Sequence, residues 1–271
     1  MQRTWILMAP LVFALFPPQA SASTDFPFAL DLPGDASLMG GALALYGSSL
    51  YFQTIKPAPN AGAIDSANIP FLDRAYPATP SSSLYSAGDD LSIALAALPL
   101  ALAIGRSSGE MLDLGAMYVE SLGLAYGLDS LLKSTIVRYR PYAYSTTVQP
   151  DFTVADIASS FPSANSSLAF VAASFGGFAY GRLYPDSSLR PWVWVAGLGL
   201  ASGVSALLVA GGDHFLSDAV AGAAIGAASG ILVPLLHERF RAAKLKRGAA
   251  ASSLELEAGP GGLVALLRLG G

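Results

Sequence analysis

The sequence predicts an all-α bundle of six membrane-spanning helices, on three observations. Of its 271 residues, 53% are hydrophobic and only 13% charged, a balance well outside that of soluble domains. Apolar segments recur at lengths near the ~20 residues that cross a bilayer. Short polar breaks rich in Pro, Gly and Ser separate them, and nothing marks a second large domain.

The first residues, MQRTWILMAPLVFALFPPQASAS, place Arg3 before an apolar run from Ile6 to Phe16, followed by Ala20-Ser21-Ala22. This is the pattern of a secretory signal peptide cleaved after about Ala22. Residues 1–22 are therefore set apart from the membrane domain, expected over 23–236, and from a tail over 237–271. The expected helices are Ser37–Ile55, Leu91–Gly105, Leu112–Leu132, Ser163–Tyr184, Trp192–Ala210 and Ala219–Leu236. Glycines and serines dilute the first, and the second is short for a bilayer crossing. Between them, KPAPNAGAIDSANIPFLDRAYPATPSSS reads as an irregular loop. The last helix carries Gly222, Gly226 and Gly230 on one face, a stripe that lets a neighbouring backbone approach closely. Beyond it, HERFRAAKLKRG is a basic amphipathic extension suited to an anionic membrane surface, and SLELEAGPGGLVALLRL alternates around a turn as a small β-hairpin does.

Several function classes drop out. With no cysteine and only His214 and His237, thiolate and multi-histidine metal sites are excluded. A net charge of -4 and the lack of a Walker-type loop argue against nucleic acid and nucleotides. The helices hold few polar groups besides Glu120 and Asp129, and no repeat is visible, which disfavours a transporter. Glu120 is expected to pair within the bundle.

Three polar clusters interrupt the apolar pattern at helix boundaries: KSTIVRYRPY, FPSANSS and GDHFLSD. Alternating crossings put all three on one side, and a convergent ionisable set at a membrane boundary is a candidate site. In the first, Lys133 and Arg140 are seven residues apart and share a face if the helix continues to Pro141. Two cations so aimed suit an oxyanion; the alternative is a snorkelling collar with Asp129 pairing Lys133. The second cluster opens a helix, whose positive end attracts anions, although Ser163 or Asn165 also reads as a plain N-cap. In the third, Asp218 lies four residues after His214, close enough to fix the imidazole tautomer and leave its other nitrogen as base or nucleophile.

In this order the clusters resemble the type 2 phosphatidic acid phosphatase family, related to the vanadium haloperoxidases. Its signature runs K-x6-R-P, then P-S-G-H, then S-R-x5-H-x3-D. Lys133 through Pro141 matches the first motif, Pro162-Ser163 half of the second, and His214 with Asp218 the end of the third. The resemblance implies that His214 attacks phosphorus to form a phosphohistidine, with Asp218 orienting it. Lys133, Arg140 and the helix start at Ser163 would hold the phosphate oxygens, with no metal or cofactor. The implied partner is a phospholipid or isoprenoid-type lipid phosphate in a membrane.

Three residues depart from the signature. Ala164 stands for the glycine, Asn165 for the histidine that protonates the leaving oxygen, and Leu208, preceded by Leu207, for the second clamp arginine. A missing general acid costs ~10²–10⁴ in rate, and a missing charge-assisted hydrogen bond of about 1.5–3 kcal/mol roughly ten- to a hundredfold more. Asp213, beside His214, could supply a proton, yet its charge would also repel phosphate. Two readings stay open: a slow phosphatase, best served by a good leaving group such as pyrophosphate, and an inactive relative that binds or scaffolds lipid phosphates. Topology adds a conflict, because a cleaved signal with six crossings leaves the basic tail outside, against the positive-inside rule.

Overall fold

A computed structural model describes residues 26–75, 79–145, 147, 154–252, 254–259 and 262–267. The expected signal peptide lies outside the described residues. The helices are α1 (Leu32–Ile55), α2 (Ser82–Ala97), α3 (Ser108–Thr135), α4 (Ala164–Leu183), α5 (Arg190–Ala210) and α6 (Leu216–Ser252). Strands β1 (Leu254–Gly259) and β2 (Gly262–Leu267) pair antiparallel, as the alternating tail predicts.

Local signals set the helix ends. Asp31 caps α1, accepting from Gly34 N, and Ser107 with Glu110 forms a reciprocal capping box on α3. Helix α2 begins nine residues before the expected Leu91, and a 3₁₀ turn, Leu98–Ala103, follows it at Pro99. The basic extension is continuous with α6, which runs unbroken past the expected boundary at 236.

Helix α4 is the centre of the bundle. It packs against α2, α3, α5 and α6, and its buried positions are mostly Ala, Ser and Gly. Small side chains there let the surrounding helices come close. The glycine stripe of α6 shows how close: a Cβ at Gly222 or Gly226 would collide with the carbonyl oxygen of Ser163 or Ser167, and one at Gly230 would sit 2.7 Å from that of Val171.

Among the described residues three segments are long and apolar enough to cross a membrane, Ser82–Ala103, Arg190–Ala210 and Leu216–Gly248. Large apolar side chains also point outward from the other outer helices, including Leu43 and Tyr51 of α1 and Leu112 and Val119 of α3. A surface this apolar belongs in lipid, and the protein is an integral membrane protein.

Candidate active site

All three polar clusters lie at one end of the bundle. Lys133 occupies the last turn of α3, but the helix stops at Thr135 and Ile136 is extended. The expected continuous helix to Arg140 is therefore corrected. The chain turns back instead, and Arg138 bridges in parallel to Ser159, with Arg138 N donating to Ala158 O and Arg140 N to Ile157 O. Lys56 secures this reversal by donating to Lys133 O, Ala158 O and Ser159 Oγ at 2.6–2.9 Å. β-Branched Ile136 and Val137 favour the extended path. Lys133 Nζ donates to Ser159 O at 2.7 Å.

The reversal brings Lys133 and Arg140 to a pocket of about 480 Å³ also lined by Tyr85, Asp89, Tyr142, Asp156, Ala164, Asn165, Asp213 and His214. Ala164 and Asn165 are the first two residues of α4, so the positive end of the central helix faces the pocket. Ser163 is its N-cap; the hydroxyl accepts from Ser166 N, and the backbone N–H donates to Asp218 O at 3.0 Å.

His214 is buried, with Nε2 3.3 Å from Arg140 Nη1. Nε2 is equally close, 3.3 Å, to Asp213 Oδ2, so it sits between a guanidinium that can only donate and a carboxylate that can only accept. Nδ1 lies 3.6 Å from Asp218 Oδ2, longer than a hydrogen bond. Burial, more than the nearby Arg140 and Lys133 charges, pushes the His214 pKa below its ordinary value, while Asp218 and Asp213 oppose the shift. The ring is thus neutral at pH 7. Burial also pushes the Tyr142 phenol up to about 12, which keeps it a neutral donor at the pocket wall.

This arrangement joins a neutral histidine, two cations and a helix start in one cavity. Residues 114–242 match the sequence model of the PAP2 superfamily. Through that region the chain is similar to the PAP2 superfamily. A solved structure to which it is similar is the first transmembrane PAP2 type phosphatidylglycerolphosphate phosphatase from Bacillus subtilis. The two are 19% identical; the similarity covers 73% of this chain and 96% of that one, with a TM-score of 0.48. No curated protein matches the chain by sequence.

Of the departures from the PAP2 signature, Asn165 faces the pocket and Leu208 does not. Leu208 is fully buried in an apolar cluster with Leu95, Ala169, Ala173, Ala201 and Val204, and it presses on Gly88 of α2. Asn165 Nδ2 donates to Asp89 Oδ1. Arg140 is engaged by carboxylates: Nη1 is 2.6 Å from Asp213 Oδ2, and Nη2 is 2.7 Å from Asp156 Oδ2. The pocket therefore sets three aspartates against two cations.

A second group of residues escaped the sequence reading. Arg138 reaches Asp218 and Asp73 together, and Asp73 accepts from Ser217 N and Ser217 Oγ at the start of α6. Asp73 is thus a remote cap for that helix. Asp218 Oδ2 also accepts from Ser160 Oγ and Phe215 N. Two signals were available: Arg138 and Arg140 alternate with strand period, and Tyr85 and Asp89 stand four apart in a helix that starts earlier than its apolar run.

Proposed function

We propose that the protein hydrolyses a lipid phosphate or pyrophosphate through a phosphohistidine on His214. The observation that supports this most is the convergence of Lys133, Arg140, the start of α4 and His214 on one pocket. Phosphoryl transfer needs positioning and fixed positive charge more than covalent assistance, and these groups offer both. The Nε2 lone pair forms the N–P bond while the P–O bond to the leaving group breaks. The leaving oxygen takes that bonding pair and then a proton. Asp89, held at the pocket wall by the Asn165 amide, supplies it as a carboxylic acid. Water oxygen then attacks phosphorus while the N–P bond breaks and returns its pair to Nε2; the water gives a proton to the aspartate, and phosphate leaves. Asp218 holds the Nδ1–H side of the ring; catalytic pairs of this kind tighten when the reacting group arrives.

The lipid character of the substrate is supported by a groove of about 920 Å³ between α5 and α6. Its lining includes Ala206, Val209, Ala210, Val220 and Ala223, with Leu216 and Ala219 on either side of Asp218. An acyl or prenyl chain lying there keeps its apolar length in the bundle's lipid-facing side while its phosphate enters beside His214. The test is phosphate release by the purified protein from a panel of lipid phosphates and pyrophosphates, run beside His214→Ala. Release that vanishes in the variant is expected; equal background in both rejects hydrolysis.

Phosphate binding without turnover is the second reading. It is favoured by the two carboxylates that already claim Arg140 and by the amide at position 165. In the same assay it predicts lipid phosphate retained by both proteins and released as inorganic phosphate by neither.

A further inference from the structure

Well away from the phosphate pocket, a second polar cluster joins three helices. Asp35 of α1, Glu120 of α3 and His237 of α6 each bring one ligand atom to within 4.8 Å of the others. His237 lies about 30 Å from Asp218 along α6, at 1.5 Å per residue. Its Nε2 is 3.0 Å from Asp35 Oδ1 and 3.3 Å from Glu120 Oε2. The His237 side chain is 0% exposed, that of Glu120 3% and that of Asp35 18%.

The tautomer is fixed by the backbone. His237 Nδ1 lies 3.0 Å from Val233 O. A carbonyl only accepts, so Nδ1 carries the proton, and Nε2 aims a lone pair at two carboxylate oxygens. Glu120 Oε2, though buried, accepts no hydrogen bond. Three electron-rich atoms facing one point in an apolar interior are costly unless a cation sits among them. Ligands 2.0–2.2 Å from one ion lie about 3–3.5 Å apart, the spacing of both His237 contacts. A ligating histidine also commonly donates its other N–H to a backbone carbonyl, as His237 does to Val233. Phe240 meets the imidazole edge to face with centroids 5.3 Å apart and covers Gly34, where a Cβ would strike the Phe240 ring. The partly exposed Asp35 leaves a route in from the surface.

We propose that Asp35, Glu120 and His237 bind one divalent transition-type cation, of the Zn²⁺ or Mn²⁺ class, with water completing its coordination. One imidazole and two carboxylates suit such ions better than Mg²⁺ or Ca²⁺, which prefer all-oxygen shells. The expectation that no metal serves the phosphate pocket is untouched, because this triad lies elsewhere and needs only one histidine. The ion clamps the start of α1 to α3 and α6, and it holds whether or not the pocket turns over phosphate.

The experiment uses untagged full-length protein in detergent, stripped with EDTA and titrated with ZnCl₂, MnCl₂ or MgCl₂ while calorimetry and Tm are followed. Expected are one Zn²⁺ or Mn²⁺ per chain, a saturable rise in Tm and no comparable effect of Mg²⁺. Glu120→Gln and Asp35→Asn, which keep side-chain shape, should weaken binding by about tenfold or more, whereas His214→Ala should bind as wild type does. No stoichiometric binding by the wild type overturns the proposal and leaves a proton as the cation, whatever the variants do. Equal affinity in Glu120→Gln, or loss in His214→Ala, also overturns it.

Discussion

Arg138 Nη1 lies 2.6 Å from Asp218 Oδ1, so the carboxylate behind His214 is itself held by a cation from the first polar cluster. The same guanidinium reaches Asp73 and stacks 4.8 Å from the Phe215 ring. A ligand-orienting contact of this kind is typically worth ten- to a hundredfold. Arg138→Gln is therefore expected to lower kcat by about that factor while KM for a lipid phosphate stays within about threefold. Arg138→Lys should recover part of it, since charge remains and only the fork is lost. A change confined to KM would remove Arg138 from a positioning role.

The pH dependence follows from the lowered pKa of His214. In the proposed mechanism only the neutral ring attacks, and kcat/KM reports the free protein. The acid limb of the kcat/KM profile should therefore have its midpoint below the ordinary histidine value of about 6.5. Folding is linked in the same direction. Between that value and the lowered folded one, the unfolded chain binds the proton and the folded chain does not. The His214 contribution to stability is thus fully present above about pH 6.5 and is lost as pH falls toward the folded value. In His214→Ala that part of the acid sensitivity should be absent from a Tm-against-pH series.

Asp213 and Asp156 compete with phosphate for Arg140. Of the two, Asp156 is 60% exposed at its side chain and swings away easily, whereas Asp213 is 15% exposed and stays. Asp213→Asn removes one negative charge beside both Arg140 and His214. Inorganic phosphate should then inhibit or bind about tenfold more tightly, the equivalent of about 1.4 kcal/mol. Asp156→Asn should show a smaller gain. Unchanged phosphate affinity in both variants would mean that the carboxylates do not guard the guanidinium.

Repairing the signature should succeed at one position and fail at the other. Asn165 faces the pocket, so Asn165→His adds an acid where one can act, worth up to ~10² or more in turnover. Leu208 is packed against Gly88 inside an apolar cluster. Leu208→Arg buries a charge and overfills that contact, so Tm should fall and turnover should not rise. Higher turnover with an unchanged Tm would show that the arginine escapes to the pocket.

Helix number, the shared end of the three clusters and the glycine stripe were all legible in the sequence, because each is a pattern of hydrophobicity or spacing along one segment. The start of α2 was not. SSSLYSAGDD looks too polar for a membrane helix, yet Tyr85 and Asp89 line the pocket rather than meet lipid. Arg138 was hidden by extending a helical period past Thr135, where the chain is already extended. Asp73 sits in a linker whose Pro and Asn content reads as irregular, and its role depends on docking to Ser217, 144 residues away. Leu208 and Asn165 look alike as departures from a motif; only packing shows that one faces the core and the other the cavity.

The stripe of glycines on α6 has a consequence for how the pocket would respond to its bilayer. Gly222, Gly226 and Gly230 press backbone on backbone against α4, and Ser163 N bonds directly to Asp218 O at the end of that seam. The second and third clusters are thus the tips of two rails bolted along their length. A thinner or thicker membrane can tilt the lipid-facing α1 and α5 against this pair. The gauge between the anion-attracting start of α4 and His214 is set by glycine, and lipid composition has little leverage on it.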